Sequence, residues 1–251
     1  MKKSVIVAAA GLSLLAAQLP TPASAQACKL TAIGSAEVAA VRDGRTLLLG
    51  DGRELRLAAI EPADDGAALR ALAQGRALRL EKLGAERDRY GRLVAFAFAG
   101  DAAQSLQERL LAQGAALVAA RVGDKACAGV LLAAEKQARE ARRGLWADPN
   151  FAPLQADNLA GLGAKTGHFA LIEGRVLSVN TSGSTIYLNF GYRWTRDFAV
   201  VIPRRSQGGF RAAGLELKTL EGRRVRVRGF IDRRRGPIVQ AEAPEQIEII
   251  P

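Results

Sequence analysis

Reactive side chains are scarce in this sequence, and that narrows its chemistry. One histidine, His168, and two cysteines, Cys28 and Cys127, are the whole supply of imidazole and thiol. Their spacing suits no zinc site without further ligands. Arginine and aromatic residues dominate the second half instead. Tyr187, Phe190, Tyr192, Trp194 and Phe198 lie among Arg193 and Arg196, and Arg204, Arg205, Arg223 and Arg233 to Arg235 add a basic shell. Aromatic rings offer stacking platforms for bases, and guanidinium groups offer phosphate contacts. In Arg224-Val225-Arg226-Val227-Arg228, strand alternation sets three arginines on one face. Tyr187, Trp194, Arg196, Arg224, Arg226 and Arg228 are therefore candidate nucleic-acid contacts. The competing reading makes the aromatics core residues and the arginines solubilising ones.

The charge balance supports an anionic partner. The chain of 251 residues carries a formal net charge of +11. From Lys165 to Pro251 there are 15 basic and 8 acidic residues, against 19 and 17 from Lys29 to Asp157. The surplus thus sits in the second half, where nucleic acid or an anionic envelope component would meet it. Met1-Lys2-Lys3, the apolar run Val5 to Leu19 and Ala23-Ser24-Ala25 form the three parts of a secretory signal peptide, residues 1–25. Cleavage after Ala25 implies export to the periplasm or beyond, and no later stretch is long and apolar enough to span a bilayer. In an oxidising compartment, Cys28 and Cys127 are expected to form a disulfide rather than remain free thiols.

Patterning divides the mature chain in two. Ala36 to Val41, Thr46 to Leu49 and Glu54 to Ile60 read as strands, parted by the turn pairs Asp43-Gly44 and Asp51-Gly52. Ala67 to Gln74 reads as a helix, Arg76 to Lys82 and Leu93 to Phe98 as strands, and Ser105 to Gln113 as a helix ending at Gly114. Ala115 to Arg121 should be extended, and Val130 to Arg143 a basic amphipathic helix. Residues 148–166 are rich in Pro, Gly and Asn without periodicity and read as a linker. Strands dominate residues 167–251, with a short helix at Ser206 to Ala213. The expected class is α+β, mainly β: a small barrel with helices over residues 28–147, then a small β-barrel of OB type.

Four pieces in order carry a resemblance to the staphylococcal-nuclease (thermonuclease) family. They are Val41-Arg42-Asp43-Gly44-Arg45-Thr46, the segment Leu55 to Asp64, the turn Asp88-Arg89-Tyr90-Gly91-Arg92-Leu93, and the closing Ala134 to Trp146. The second half is similar to the OB-like domain appended to some exported bacterial nuclease-like proteins, on its Tyr187 to Gly191 strand end and Gly236-Pro237 turn. The first resemblance implies hydrolysis of DNA or RNA phosphodiesters, usually with Ca²⁺ as cofactor. It implies Arg56 and Arg92 as catalytic phosphate clamps, Asp64 beside the attacking water, and Glu61 as a metal ligand. Such chemistry is physically reasonable: paired guanidiniums match a charged phosphate, and hard oxygen ligands hold Ca²⁺.

Arg45 departs from the family pattern, which has a metal-binding aspartate there. The swap changes the local charge by two units, each worth roughly 4 kcal/mol at about 4 Å and an effective dielectric near 20. Tight calcium binding is not expected beside it. Three outcomes stay open: a non-catalytic binder of nucleic acid, slow cleavage with the Arg45 guanidinium in the metal's place, or a different local register. An envelope interaction protein is a further alternative.

Overall fold

The computed structural model describes residues 28–251; the expected signal peptide lies outside the described residues. A long strand β1 (Thr31–Asp43) leads into β2 (Thr46–Leu49), β3 (Glu54–Leu57) and the short β4 (Ile60–Pro62). Helix α1 (Ala67–Ala73), strands β5 (Ala77–Lys82) and β6 (Leu93–Ala99), helix α2 (Leu106–Gln113), strand β7 (Ala116–Val118) and helix α3 (Lys125–Glu140) complete the first unit. Five strands close a barrel in the order β1-β2-β3-β6-β5. Closure depends on β1 serving two neighbours. Its first half pairs with β5 and its second half with β2, with register shifts after Ala32, Val38 and Val41. Such bulges bend and twist a strand enough to carry it around a barrel corner.

Alternation fills the barrel. Leu47, Leu49, Leu55, Leu57, Leu78, Leu80 and Leu93 are all buried, and Leu69, Leu106, Leu110 and Leu131 on the helices cover them. Helix α2 starts on a capping box, with the Ser105 hydroxyl accepting from the Glu108 amide and the Glu108 carboxylate accepting from the Ser105 amide. It stops at Gly114, whose φ of 69° and closeness to the Arg143 carbonyl leave no room for a side chain. Asp124 caps α3, which begins five residues before the periodicity alone placed it. Cys28 and Cys127 are joined by a disulfide, tying the start of the described chain to α3.

The segment expected to be a linker belongs to the second unit. Within it, strand β8 (Leu154–Gln155) pairs in parallel with β9 (Phe169–Arg175), and helix α4 (Leu159–Ala164) buries Leu162 in the second core. A two-residue strand and a six-residue helix are too short to print a period on the sequence. Strands β10 (Ser178–Ser182), β11 (Thr185–Asn189) and β12 (Ala199–Pro203), helix α5 (Gln207–Ala212), and strands β13 (Arg224–Arg233), β14 (Pro237–Gln240) and β15 (Ile247–Ile249) follow. The sheet order is β10-β11-β12-β14-β13-β9-β8, with β15 also paired to β13. This path has two ends, so the ring closure seen in the first unit is not repeated here. The class is α+β with strands predominating. Among the described residues no helix is long and apolar enough to cross a membrane.

The two units share a dry contact and a charged one. Leu117, Ala138, Leu145 and Trp146 from the first pack with Leu171 from the second. Beside them, Arg228 on β13 is wholly buried and reaches into the first unit. It donates to the Val118 carbonyl at 3.1 Å and makes two 3.0 Å bonds to the Glu135 carboxylate on α3. Glu248 on β15 takes a further bond at 2.5 Å.

Candidate functional site

The turn between β1 and β2 and the loop after β4 meet at one rim of the barrel. Asp43 fixes the turn, its carboxylate accepting the Arg45 amide at 2.8 Å. Gly44 lets the two segments touch: a Cβ there would lie 2.4 Å from Pro62 Cβ and 2.8 Å from the Asp64 carbonyl oxygen. Gly66 has φ of 100°, and a Cβ on it would strike the Asp43 carbonyl at 2.8 Å. In the same loop the Asp64 carboxylate accepts the Gly66 amide at 2.8 Å. Two glycines thus place Arg45 and Asp64 on facing loops.

Arg56 enters from β3, where it is the cross-strand partner of Thr46. The neighbouring Leu57 amide donates to the Arg45 carbonyl at 2.8 Å, locking β3 to the Arg45 turn. No protein group accepts a hydrogen bond from the Arg56 guanidinium among the described residues. Burial first, then the Arg45 cation, with Arg92 adding to them, pulls its pKa below the usual arginine value; Glu61 and Asp88 pull the other way. An arginine under that strain gains by receiving an anion.

Arg92 arrives from the turn before β6. Asp88 organises that turn by accepting the Tyr90 amide at 2.9 Å and the Arg92 amide at 3.1 Å. The Asp88 carboxylate also takes Arg92 Nε at 2.8 Å and Nη2 at 2.8 Å. Desolvation works against the charge on Asp88, but the Arg92 side chain and the turn amides outweigh it and hold the carboxyl below its ordinary range. Arg92 is thus aligned and already half-neutralised, whereas Arg56 is not.

Glu61 is the residue the resemblance offered as a metal ligand, and one oxygen of its carboxylate is taken. Arg45 Nη1 stands 2.5 Å from Glu61 Oε2 and 3.4 Å from the Ile60 carbonyl. A guanidinium therefore lies against the oxygens that a cation would need. Among the described residues there is no cluster of three or more His, Cys, Asp or Glu able to hold a metal. Arg45 thus occupies one of the oxygens that the resemblance assigns to a metal.

Other expected contacts divide in two. Trp194 is exposed and Tyr187 half-buried on the second unit's outer face, and Arg196, also exposed, pairs with Asp197 at 3.3 Å. Arg224, Arg226 and Arg228 do share a face of β13, exposed at Arg224 and covered progressively towards Arg228. In the sheet register Arg226 lies between Glu173 on β9 and Glu248 on β15, and it bonds Glu173 at 2.8 and 2.6 Å. Arg224 approaches Glu173 at 3.9 Å, and Arg228 is enclosed by Glu135 and Glu248. Arg228 alone crosses to the first unit, while Arg226 and Arg224 pair with glutamates on the flanking strands of their own sheet. Arg234 and Arg235, part of the expected basic shell, are brought beside Trp194 by the fold.

Residues 67–148 match the family model of the staphylococcal nuclease homologues. The matched span includes Arg92, the Asp88 turn and α3, while Arg45, Arg56, Glu61 and Asp64 precede it on strands and loops of the same barrel. No curated protein matches the chain. The chain thus carries a staphylococcal-nuclease-like domain on a closed five-stranded barrel.

Proposed function

We propose that this is an exported nucleic-acid-binding protein whose nuclease-like domain holds the phosphate backbone with arginines alone. The Arg45–Glu61 ion pair carries this reading. It fixes the Arg45 guanidinium at the rim of the barrel, next to the unpaired Arg56, and sets its positive charge against one of the Glu61 oxygens, which disfavours calcium there. Arg56 and Arg92 supply planar forks that suit phosphate oxygens. Asp64 spends one oxygen on the Gly66 amide, so its present task is to shape the loop. The reading is phosphate recognition rather than calcium-dependent hydrolysis. A net charge of +11 and the disulfide are consistent with an exported, polyanion-binding chain.

The test compares wild type with Arg45→Asp on single-stranded DNA and RNA, with calcium or with chelator. Wild type should bind both strands and cleave neither in a calcium-dependent way. Arg45→Asp should release Glu61 and acquire calcium binding, read by calorimetry. Robust calcium-dependent cleavage by the wild type would defeat the proposal and restore a working hydrolase.

A further inference from the structure

We infer that the outer face of the second unit's sheet is a second, independent nucleic-acid site, built to stack the unpaired bases of a single strand. Inward positions on β10, β11, β12 and β14, such as Val179, Ile186, Leu188, Val200, Ile202 and Val239, form the core. The alternate positions face outward as two rungs. Asn180, Tyr187 and Val201 are cross-strand neighbours in one; Asn189, Ala199 and Ile238 are neighbours in the other. Ala199, Val201, Ile238 and Tyr187 pack into a separate small apolar cluster on this side. An apolar floor edged by two amides is suited to a planar heterocycle with polar edges.

Two loops wall the floor. The loop from Phe190 to Phe198 is clamped by the Phe190–Phe198 ring contact at 5.0 Å and by the Asp197 carboxylate, which accepts the Arg193 amide at 2.8 Å. Gly236 allows the turn after β13 to pack against it, since a Cβ would lie 2.7 Å from the Arg196 carbonyl oxygen. That close packing sets the Arg235 guanidinium 5.2 Å from the Trp194 ring centre. Trp194 nevertheless remains 67% exposed, so an arginine steadies the ring while much of its surface is free. The resulting groove has a volume of about 510 Å³ and includes Trp194, Arg234 and Arg235. A second groove of about 320 Å³ shares Val201 and Arg234 with it and adds Arg205, which is bonded to Glu242. No acidic residue lines either groove.

Stacking surface, amide edges and the guanidiniums of Arg234 and Arg235 together fit base, base edge and phosphate. The two joined grooves fit a strand rather than one nucleotide. A duplex hides its base faces, so the occupant is single-stranded. This inference extends the nucleic-acid reading above but rests on different residues, and the test separates the two.

The protein contains two tryptophans. Trp146 is buried and Trp194 exposed, so quenching of tryptophan emission by a bound strand reports on Trp194. Titrating the whole protein with an oligothymidylate should quench the emission, whereas a duplex or an abasic strand of equal length should not. Trp194→Ala should weaken oligothymidylate binding by roughly 5- to 150-fold, the range expected for the loss of one base stack; Trp194→Phe should recover most of it. Arg56→Ala should leave the quench intact. Binding without quenching, an unchanged affinity in Trp194→Ala, or equal affinity for the abasic strand would each overturn the inference while leaving the first site standing. Loss of both binding and quench in Arg56→Ala would also overturn it, by showing a single site.

Discussion

Arg45 and Arg56 show how one substitution redistributes charge within a fixed frame. Arg45 is neutralised by Glu61 at 2.5 Å, while Arg56 keeps its charge unmatched in a half-buried position. Removing Arg56 should therefore remove a phosphate contact without harm to folding. Arg56→Ala is expected to weaken single-strand binding and to shrink the slope of log affinity against log salt by roughly 0.7. An unchanged slope would take Arg56 out of the interface. Arg92→Ala should cost more than binding, because Asp88 would lose the side chain that helps fix its turn; a lowered melting temperature beside the lowered affinity would show both effects. The charge conflict at Arg45 was legible in the sequence, since one basic residue stands where a carboxylate was expected. The 2.5 Å pairing with Glu61 was not, because the two are sixteen positions apart with a strand reversal between them.

At the scale of elements, β13 is the piece with the most distant consequences. It pairs with β9, β14 and β15 and sends Arg228 across to α3. Burial disfavours the charge on both Arg228 and Glu135, but their mutual attraction prevails: Arg228 is held above and Glu135 below its ordinary pKa. Breaking such a pair leaves a buried charge alone. Arg228→Met should cost about 3–5 kcal/mol in urea unfolding, with part of the loss recovered in the double variant with Glu135→Gln. A loss under about 1 kcal/mol would mean that water reaches the pair. The pH dependence follows from the lowered carboxyl pKa. The Glu135 contribution is complete above the unfolded-state value, close to 4.5, and is lost as pH falls through the depressed folded one. Acid unfolding of Glu135→Gln should therefore be flatter below about pH 4.5 than that of wild type. The stripe itself was readable from alternation. Its partners were not, because strand order in the second sheet is not sequence order and β15 comes to β13 from the end of the chain.

Across the whole molecule, the two units are held by the Arg228 bonds, by the Leu117–Trp146–Leu171 contact and by Glu245, which accepts the Val122 and Gly123 amides at 2.7 and 3.1 Å. Residues 148–166 are consequently ordered structure and not a tether. Limited proteolysis should spare this segment in wild type and cut it in Arg228→Met; early cutting in wild type would refute a fixed junction. The Cys28–Cys127 bridge spans 99 residues, and reduction should lower stability by about 4–5 kcal/mol on the chain-entropy account. The barrel, its turns and the bridge were foreseeable because each has a local signature in glycines, aspartates or cysteines. The junction had none, being made of ordinary residues that meet only after folding. That junction also imposes a schedule on the nascent chain. Glu135 is synthesised 93 residues ahead of Arg228, and until β13 emerges it has only Arg139 from its own helix as a cation. The first domain must then wait, incompletely settled, for its own last counterion. A chain that stops after residue 148 would contain all five barrel strands but leave Glu135 without the Arg228 guanidinium.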